Sequence, residues 1–153
     1  MSWLQVRKKV HWSDSDAAGV VWFPNVLGWF EDAEEELYAA VLGRTRQSIL
    51  DANRFGMPRV EASITYRSPT RPGDIVRLGL RSTLENPRRL RHDFEVRDEP
   101  TGALRAEGFV RVASIDLATF TPRDFPREVL DMVAGLPDVM AAQARGEVEV
   151  PWV

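Results

Sequence analysis

Residues 24–41 read Pro-Asn-Val-Leu-Gly-Trp-Phe-Glu-Asp-Ala-Glu-Glu-Glu-Leu-Tyr-Ala-Ala-Val. Val26, Trp29, Phe30, Ala33, Leu37, Ala40 and Val41 recur at three- and four-residue steps. That spacing predicts an amphipathic helix of about five turns. Pro24 suits its first turn, where a missing N–H costs nothing, and Gly43 offers a stop. A stripe this wide needs a broad apolar partner, and the rest of the chain supplies one.

Upstream, Leu4, Val6, Val10 and Trp12 alternate with polar residues and predict a strand over 3–12, with Lys8 interrupting the apolar side. A short second helix is expected over 45–53. After Gly56 the period changes to two. Val60, Ala62, Ile64 and Tyr66 alternate with Glu61, Ser63, Thr65 and Arg67, and Val76, Leu78 and Leu80 oppose Arg77 and Arg81. Leu90, His92, Phe94 and Val96 then face away from Arg91, Asp93, Glu95 and Arg97, and a last long strand is expected over 104–115. Turns at 71–74, 86–87 and 98–102 join these segments. Short links between alternating strands imply an antiparallel meander of four strands with one face buried. The economical architecture is α+β, a curved antiparallel sheet wrapped around the long helix. A small terminal helix is expected over 126–134, and the pattern places nothing in the tail.

The chain has 153 residues, 44% of them apolar and 28% charged, a size that suits one domain with a sizeable core. We therefore expect a single domain over 1–153, with its core in about 1–120. The formal charge of −3 gives no electrostatic reason to expect nucleic-acid binding. With no cysteine there can be no disulfide, thiolate zinc site or cysteine nucleophile. The first ten residues lack the long apolar core of an export signal, and no apolar run approaches membrane-spanning length, so a cytoplasmic protein without membrane contact is expected. Phosphate-loop, dinucleotide-glycine and nucleophile-elbow motifs are all missing. Two histidines without helical spacing make a poor metal site. His92 sits on an apolar strand face and reads as a hydrogen-bonded core residue.

Asp14-Ser15-Asp16-Ala17-Ala18-Gly19 lies just before the helix start. One reading is a turn whose aspartates accept backbone N–H groups. The other begins with the helix N-terminus. Its unpaired amides stabilise charge developing on a carbonyl oxygen, and the Phe23 N–H is an available donor because Pro24 has none. A nearby carboxylate could then attack an activated carbonyl or deprotonate water to do so. Both routes need an ionised carboxylate, the ordinary state of an aspartate at neutral pH. Thioesters suit such equipment, since a thiolate leaves without a strong acid.

Residues 11–25, His-Trp-Ser-Asp-Ser-Asp-Ala-Ala-Gly-Val-Val-Trp-Phe-Pro-Asn, followed by Trp29-Phe30-Glu31, closely resemble the signature of the 4-hydroxybenzoyl-CoA thioesterase family of hot-dog proteins. The order of strand, helix and strands extends the resemblance over about the first 120 residues. It implies a hot-dog fold, an acyl-CoA thioesterase activity and no cofactor. Asp16 matches the catalytic carboxylate, and the Phe23 N–H matches the amide that polarises the thioester carbonyl. Glu31 falls where the hydroxybenzoyl enzyme carries an Asp that meets the substrate phenol, so Glu31 is a substrate-binding candidate. Phe23-Pro24 leans toward the aromatic-acyl branch, hence a benzoyl- or hydroxybenzoyl-type CoA ester. Arg88, Arg89 and Arg91 stand near the family's basic cluster for the CoA phosphates; an ordinary solvated hairpin is the other reading. Residues 59–97 hold nine Arg against five acids, an excess expected to draw anionic substrate. The acids at 31, 32, 34, 35 and 36 read mostly as solvated helix face. The resemblance further implies a homodimer or homotetramer with sites between subunits. Hydrolysis of short- or medium-chain aliphatic acyl-CoA, or of acyl groups on a carrier protein, and binding of acyl-CoA or another small ligand without turnover, stay open as alternatives.

Overall fold

The long apolar stripe forms helix α1, Phe23–Leu42, in a computed structural model that describes residues 3–153. The two residues before Trp3, part of the expected domain, lie outside the described residues. Trp22 caps the start of α1, and Gly43 ends it at φ 64°, a left-handed conformation that glycine adopts without a Cβ clash. Val26, Trp29, Phe30, Ala33, Leu37 and Tyr38 turn inward. Phe30 stacks on Phe94 with ring centroids 4.0 Å apart.

The partner surface is a sheet of β1 (Leu4–Lys9), β3 (Arg59–Tyr66), β4 (Ile75–Asn86), β5 (Arg89–Asp98) and β6 (Leu104–Ala113). All its pairings are antiparallel, in the order β1-β4-β5-β6-β3. The expected α+β class and the helix packed on an antiparallel sheet are both present. Leu4, Val6, Val76, Leu78, Leu80, Leu90, Phe94, Val96, Ala106, Val110 and Val112 form the core under α1. A second helix, α2 (Arg46–Asn53), is capped by Thr45, whose hydroxyl accepts the Ser48 N–H at 3.1 Å. β2 (Phe55–Gly56) pairs with β7 (Ile115–Asp116) in a separate two-stranded sheet.

Three expectations need correction. The meander has three strands, not four, because β3 pairs with β6 at the far edge and not with β4. The link 67–74 is too long for a tight hairpin and carries Pro69 and Pro72. It crosses past the start of α1, where the Thr70 carbonyl accepts the Val21 N–H at 2.8 Å. The terminal helix is also longer than expected: α3 spans Arg127–Ala144. Helix continues through Gly135 because it lies against α1; a Cβ there would come within 2.7 Å of the Val41 Cγ1. The tail, finally, has a place. Val153 N–H donates to the Arg7 carbonyl at 3.0 Å, and Arg7 N–H donates to Pro151 at 2.7 Å. Gln143 adds its side-chain amide, which accepts from Gln5 N–H at 2.8 Å and donates to Gln5 O at 3.0 Å. These contacts cover the outer edge of β1 and leave the outer edge of β3 without a strand partner among the described residues.

Candidate active site

The Asp14–Gly19 loop folds back on the start of α1 through its own backbone. Trp12–Asp14 make a single 3-10 turn. The Asp14 carboxylate accepts the His11 N–H at 2.8 Å. Its carbonyl accepts the Trp22 N–H at 2.9 Å and the Asn25 side-chain amide at 2.8 Å. Asp14 thus ties the loop to the helix entrance. Asp16 accepts the Ala18 N–H on Oδ1 at 2.8 Å, while its N–H donates to Val20 O at 3.0 Å. That leaves Asp16 exposed with its other carboxylate oxygen uncommitted among the described residues.

Asp16 and Phe23 line the same cavity, about 440 Å³ in volume. Its walls include Val20, Val21, Val26, Trp29, Val96 and Ala106, with Tyr66, Thr70, Arg67 and Arg105 adding polar groups. Trp22 and Asn25 N–H groups are both spent on nearby carbonyls. The Phe23 N–H donates to no acceptor among the described residues. The residue that carries a free helix N-terminal N–H and the residue that carries a free carboxylate oxygen therefore line one mostly apolar space, the two kinds of group that polarising and attacking a carbonyl require. Tyr66 closes one side, with its hydroxyl donating to the Phe23 carbonyl at 2.5 Å.

Other candidates lie elsewhere in the chain. Glu31 does not line this cavity; it pairs with Arg59 at 2.9 Å and with Arg46 at 3.0 Å. Arg88 pairs with Asp124 at 2.9 Å, and Arg91 pairs with Asp93 at 2.9 Å while lying 4.0 Å over the Phe109 ring. Arg89 begins β5, whereas Val96 of the cavity wall stands near its other end, roughly 23 Å away at strand rise. Arg67 and Arg105 are the cations at the cavity, and the sequence carried no signal for them. Nor did it mark Tyr66 or Thr70, because the alternation that identifies a strand is silent about which end of it meets a helix. The arginine excess over 59–97 is largely offset by acids from outside that window: Glu31 and Glu34 hold Arg59, and Glu99 holds Arg77 at 3.0 Å.

The acidic run also needs correction at one position. Glu34 is 1% exposed, not solvated. Its Oε1 lies 2.9 Å from His92 Nε2, and its Oε2 meets Arg46 at 3.0 Å and also Arg59. Burial alone would raise the Glu34 pKa, but the attraction and hydrogen bond of His92, then Arg59 and Arg46, outweigh it and hold it at about 2. On its other side the His92 Nδ1 meets the Ser82 hydroxyl at 2.6 Å. His92 is the hydrogen-bonded core residue its strand position suggested. No group of three potential metal-ligating side chains is found, and no helix is long and apolar enough to cross a membrane, among the described residues.

The thioesterase-like superfamily matches residues 10–142. A 1,4-dihydroxy-2-naphthoyl-CoA hydrolase of Synechococcus elongatus is 32% identical over 96 residues, 63% of this chain and 71% of that one. Acyl-CoA thioesterase YbgC of Haemophilus influenzae is 28% identical over 79% of this chain and 87% of its own length. Among solved structures, Slr0204, a 1,4-dihydroxy-2-naphthoyl-CoA thioesterase from Synechocystis, superposes with a TM-score of 0.82 at 25% identity, covering 88% of this chain and 97% of that one. The match stands at the level of the superfamily and does not single out the hydroxybenzoyl branch. With the motif loop, the helix and the sheet all inside the matched span, the chain belongs to the thioesterase-like superfamily, thioester hydrolases of the hot-dog fold.

Proposed function

We propose that the protein hydrolyses an aromatic acyl-CoA thioester, of benzoyl, hydroxybenzoyl or hydroxynaphthoyl type, to the free acid and CoA. The observation that carries this reading is the shared cavity: Asp16 and Phe23, whose N–H is unpaired among the described residues, line one mostly apolar space large enough for an aromatic acyl group. Similarity to relatives named for a dihydroxynaphthoyl-CoA ester supports the aromatic class.

In this reading the thioester oxygen accepts the Phe23 N–H, which stabilises the oxyanion as the carbonyl carbon becomes tetrahedral. Asp16 attacks that carbon and the C–S bond breaks, releasing the CoA thiolate and leaving an Asp16–acyl anhydride. Water then attacks the anhydride, and the acid leaves with the Asp16 carboxylate restored. On the alternative route Asp16 takes a proton from water, which attacks directly. In a single turnover in isotope-labelled water, label in Asp16 identifies the anhydride, hydrolysed by attack at the Asp16 carbonyl, because the general-base route puts label only in the released acid.

Arg67 and Arg105 are the cations placed to meet an anionic substrate at this cavity. Glu31, Arg88, Arg89 and Arg91 take part only if a second copy brings them to it. The uncovered β3 edge, with exposed Val60 and Tyr66 on its strand, supports assembly of two chains edge to edge. Similarity to YbgC, whose name, acyl-CoA thioesterase, specifies no acyl class, leaves aliphatic acyl-CoA as a second reading. Free-CoA release from a panel of aromatic and straight-chain CoA esters decides between them. Strong preference for straight chains would overturn the aromatic assignment, and ligand binding without CoA release would overturn hydrolysis.

A further inference from the structure

We infer that the Thr70 hydroxyl is a specificity-determining group of the Asp16 cavity, and that it recognises a hydroxyl on the aromatic ring of the acyl group. The inference rests on the thioesterase reading above and adds a residue and a substituent to it. Thr70 is 8% exposed and lines the cavity. Its side chain makes no hydrogen bond among the described residues, yet its oxygen is not among the atoms sealed from solvent.

Other polar side chains of the cavity wall already have at least one partner within the chain. Tyr66 donates to Phe23 O, and Arg105 donates to Pro69 O at 2.9 Å and pairs with Asp98 at 3.2 Å. Arg67 pairs with Glu107 at 3.4 Å, and Ser68 lies at 3.5 Å from Arg105 Nη1. Thr70 is held in place by its own backbone, since its carbonyl accepts the Val21 N–H at 2.8 Å, two residues before Phe23. A threonine hydroxyl supplies one donor and two acceptor positions, which a phenolic hydroxyl can match in either sense. An unsubstituted ring or an alkyl chain would cover that hydroxyl and leave it unpaired, the usual basis on which a buried polar group rejects a ligand lacking its partner.

Matched ester pairs test this directly: 4-hydroxybenzoyl-CoA against benzoyl-CoA, and 1-hydroxy-2-naphthoyl-CoA against 2-naphthoyl-CoA. The readout is the ratio of kcat/KM within each pair, for the native protein, Thr70→Val and Thr70→Ser. We expect the native protein to favour the hydroxylated member of at least one pair. Thr70→Val should reduce that ratio about fivefold, the worth of one hydrogen bond, while Thr70→Ser retains it. Thr70→Ala replaces Thr70→Val if the latter does not fold. An unchanged ratio in the hydroxyl-less variant, or no native preference in either pair, overturns the inference and leaves the thioesterase reading standing. Failure of the native protein to release CoA from any of the four esters overturns both.

Discussion

The Tyr66 hydroxyl donates to the Phe23 carbonyl across 2.5 Å, joining the last residue of β3 to the first residue of α1. Burial raises the Tyr66 phenol above its ordinary value, so it remains a donor well above neutral pH. The bond holds the turn that presents the Phe23 N–H. Tyr66→Phe should therefore lower kcat about fivefold, the equivalent of one net hydrogen bond, with a smaller change in KM. Steady-state kinetics check it; a pure KM effect would assign Tyr66 to binding instead.

Asp16→Asn should lower turnover at least about a hundredfold with the fold intact, because the amide is neither an adequate nucleophile nor a base. Asp14 is the control. Its carboxylate holds the His11 N–H, so Asp14→Ala should reduce stability by about 1 kcal/mol, as loss of a helix-capping carboxylate does, and affect the rate less. CoA release and thermal melting, measured on both variants, distinguish the two roles.

Glu34 should make the protein acid-sensitive. Its pKa is about 2 in the folded chain against an ordinary 4.5, so protons favour the unfolded chain. Its contribution is present in full above about pH 4.5 and is lost as the pH falls towards about 2. Glu34→Gln should flatten this acid limb and cost about 3–5 kcal/mol at neutral pH, because Arg59 and Arg46 lose their buried counter-charge. Urea unfolding of both proteins between pH 7 and pH 3 tests both effects.

Gln143 supplies to Gln5 the two hydrogen bonds that a neighbouring strand would supply. Gln143→Ala should destabilise by about 1–3 kcal/mol and expose the β1 edge. Thermal melting with light scattering should show a lower transition and earlier aggregation; an unchanged onset would mean that residues 151–153 protect the edge alone.

Much of this was legible in local pattern. A helical stripe ending at Gly43, strands of period two and the loop before Pro24 are all written in spacings of a few residues, where steric rules for helix and strand act directly. Glu34 was only half legible: it stands four residues after Phe30 and three before Leu37, at the edge of the apolar stripe, but a carboxylate there gives no sign of the partners that would let it be buried. Arg46, Arg59 and His92 arrive from α2, β3 and β5, and their combined field makes burial of a carboxylate tolerable. The destination of β3 was hidden for a related reason. Alternation shows that a segment is a strand and which side is apolar, but it says nothing about which neighbour completes its hydrogen bonds.

The amino-acid order by itself determined the elements, the apolar faces that pack them together and the motif that places a carboxylate before a helix N-terminus. Tertiary structure decided which groups share the cavity. It set Tyr66 and Thr70 beside Asp16 and Phe23, kept Glu31 and the arginines of the β4–β5 turn away from them within one chain, and left β3 as the uncovered edge. The physical reason is reach: backbone sterics and periodicity act over a few residues, whereas a cavity is made wherever distant segments stop filling space.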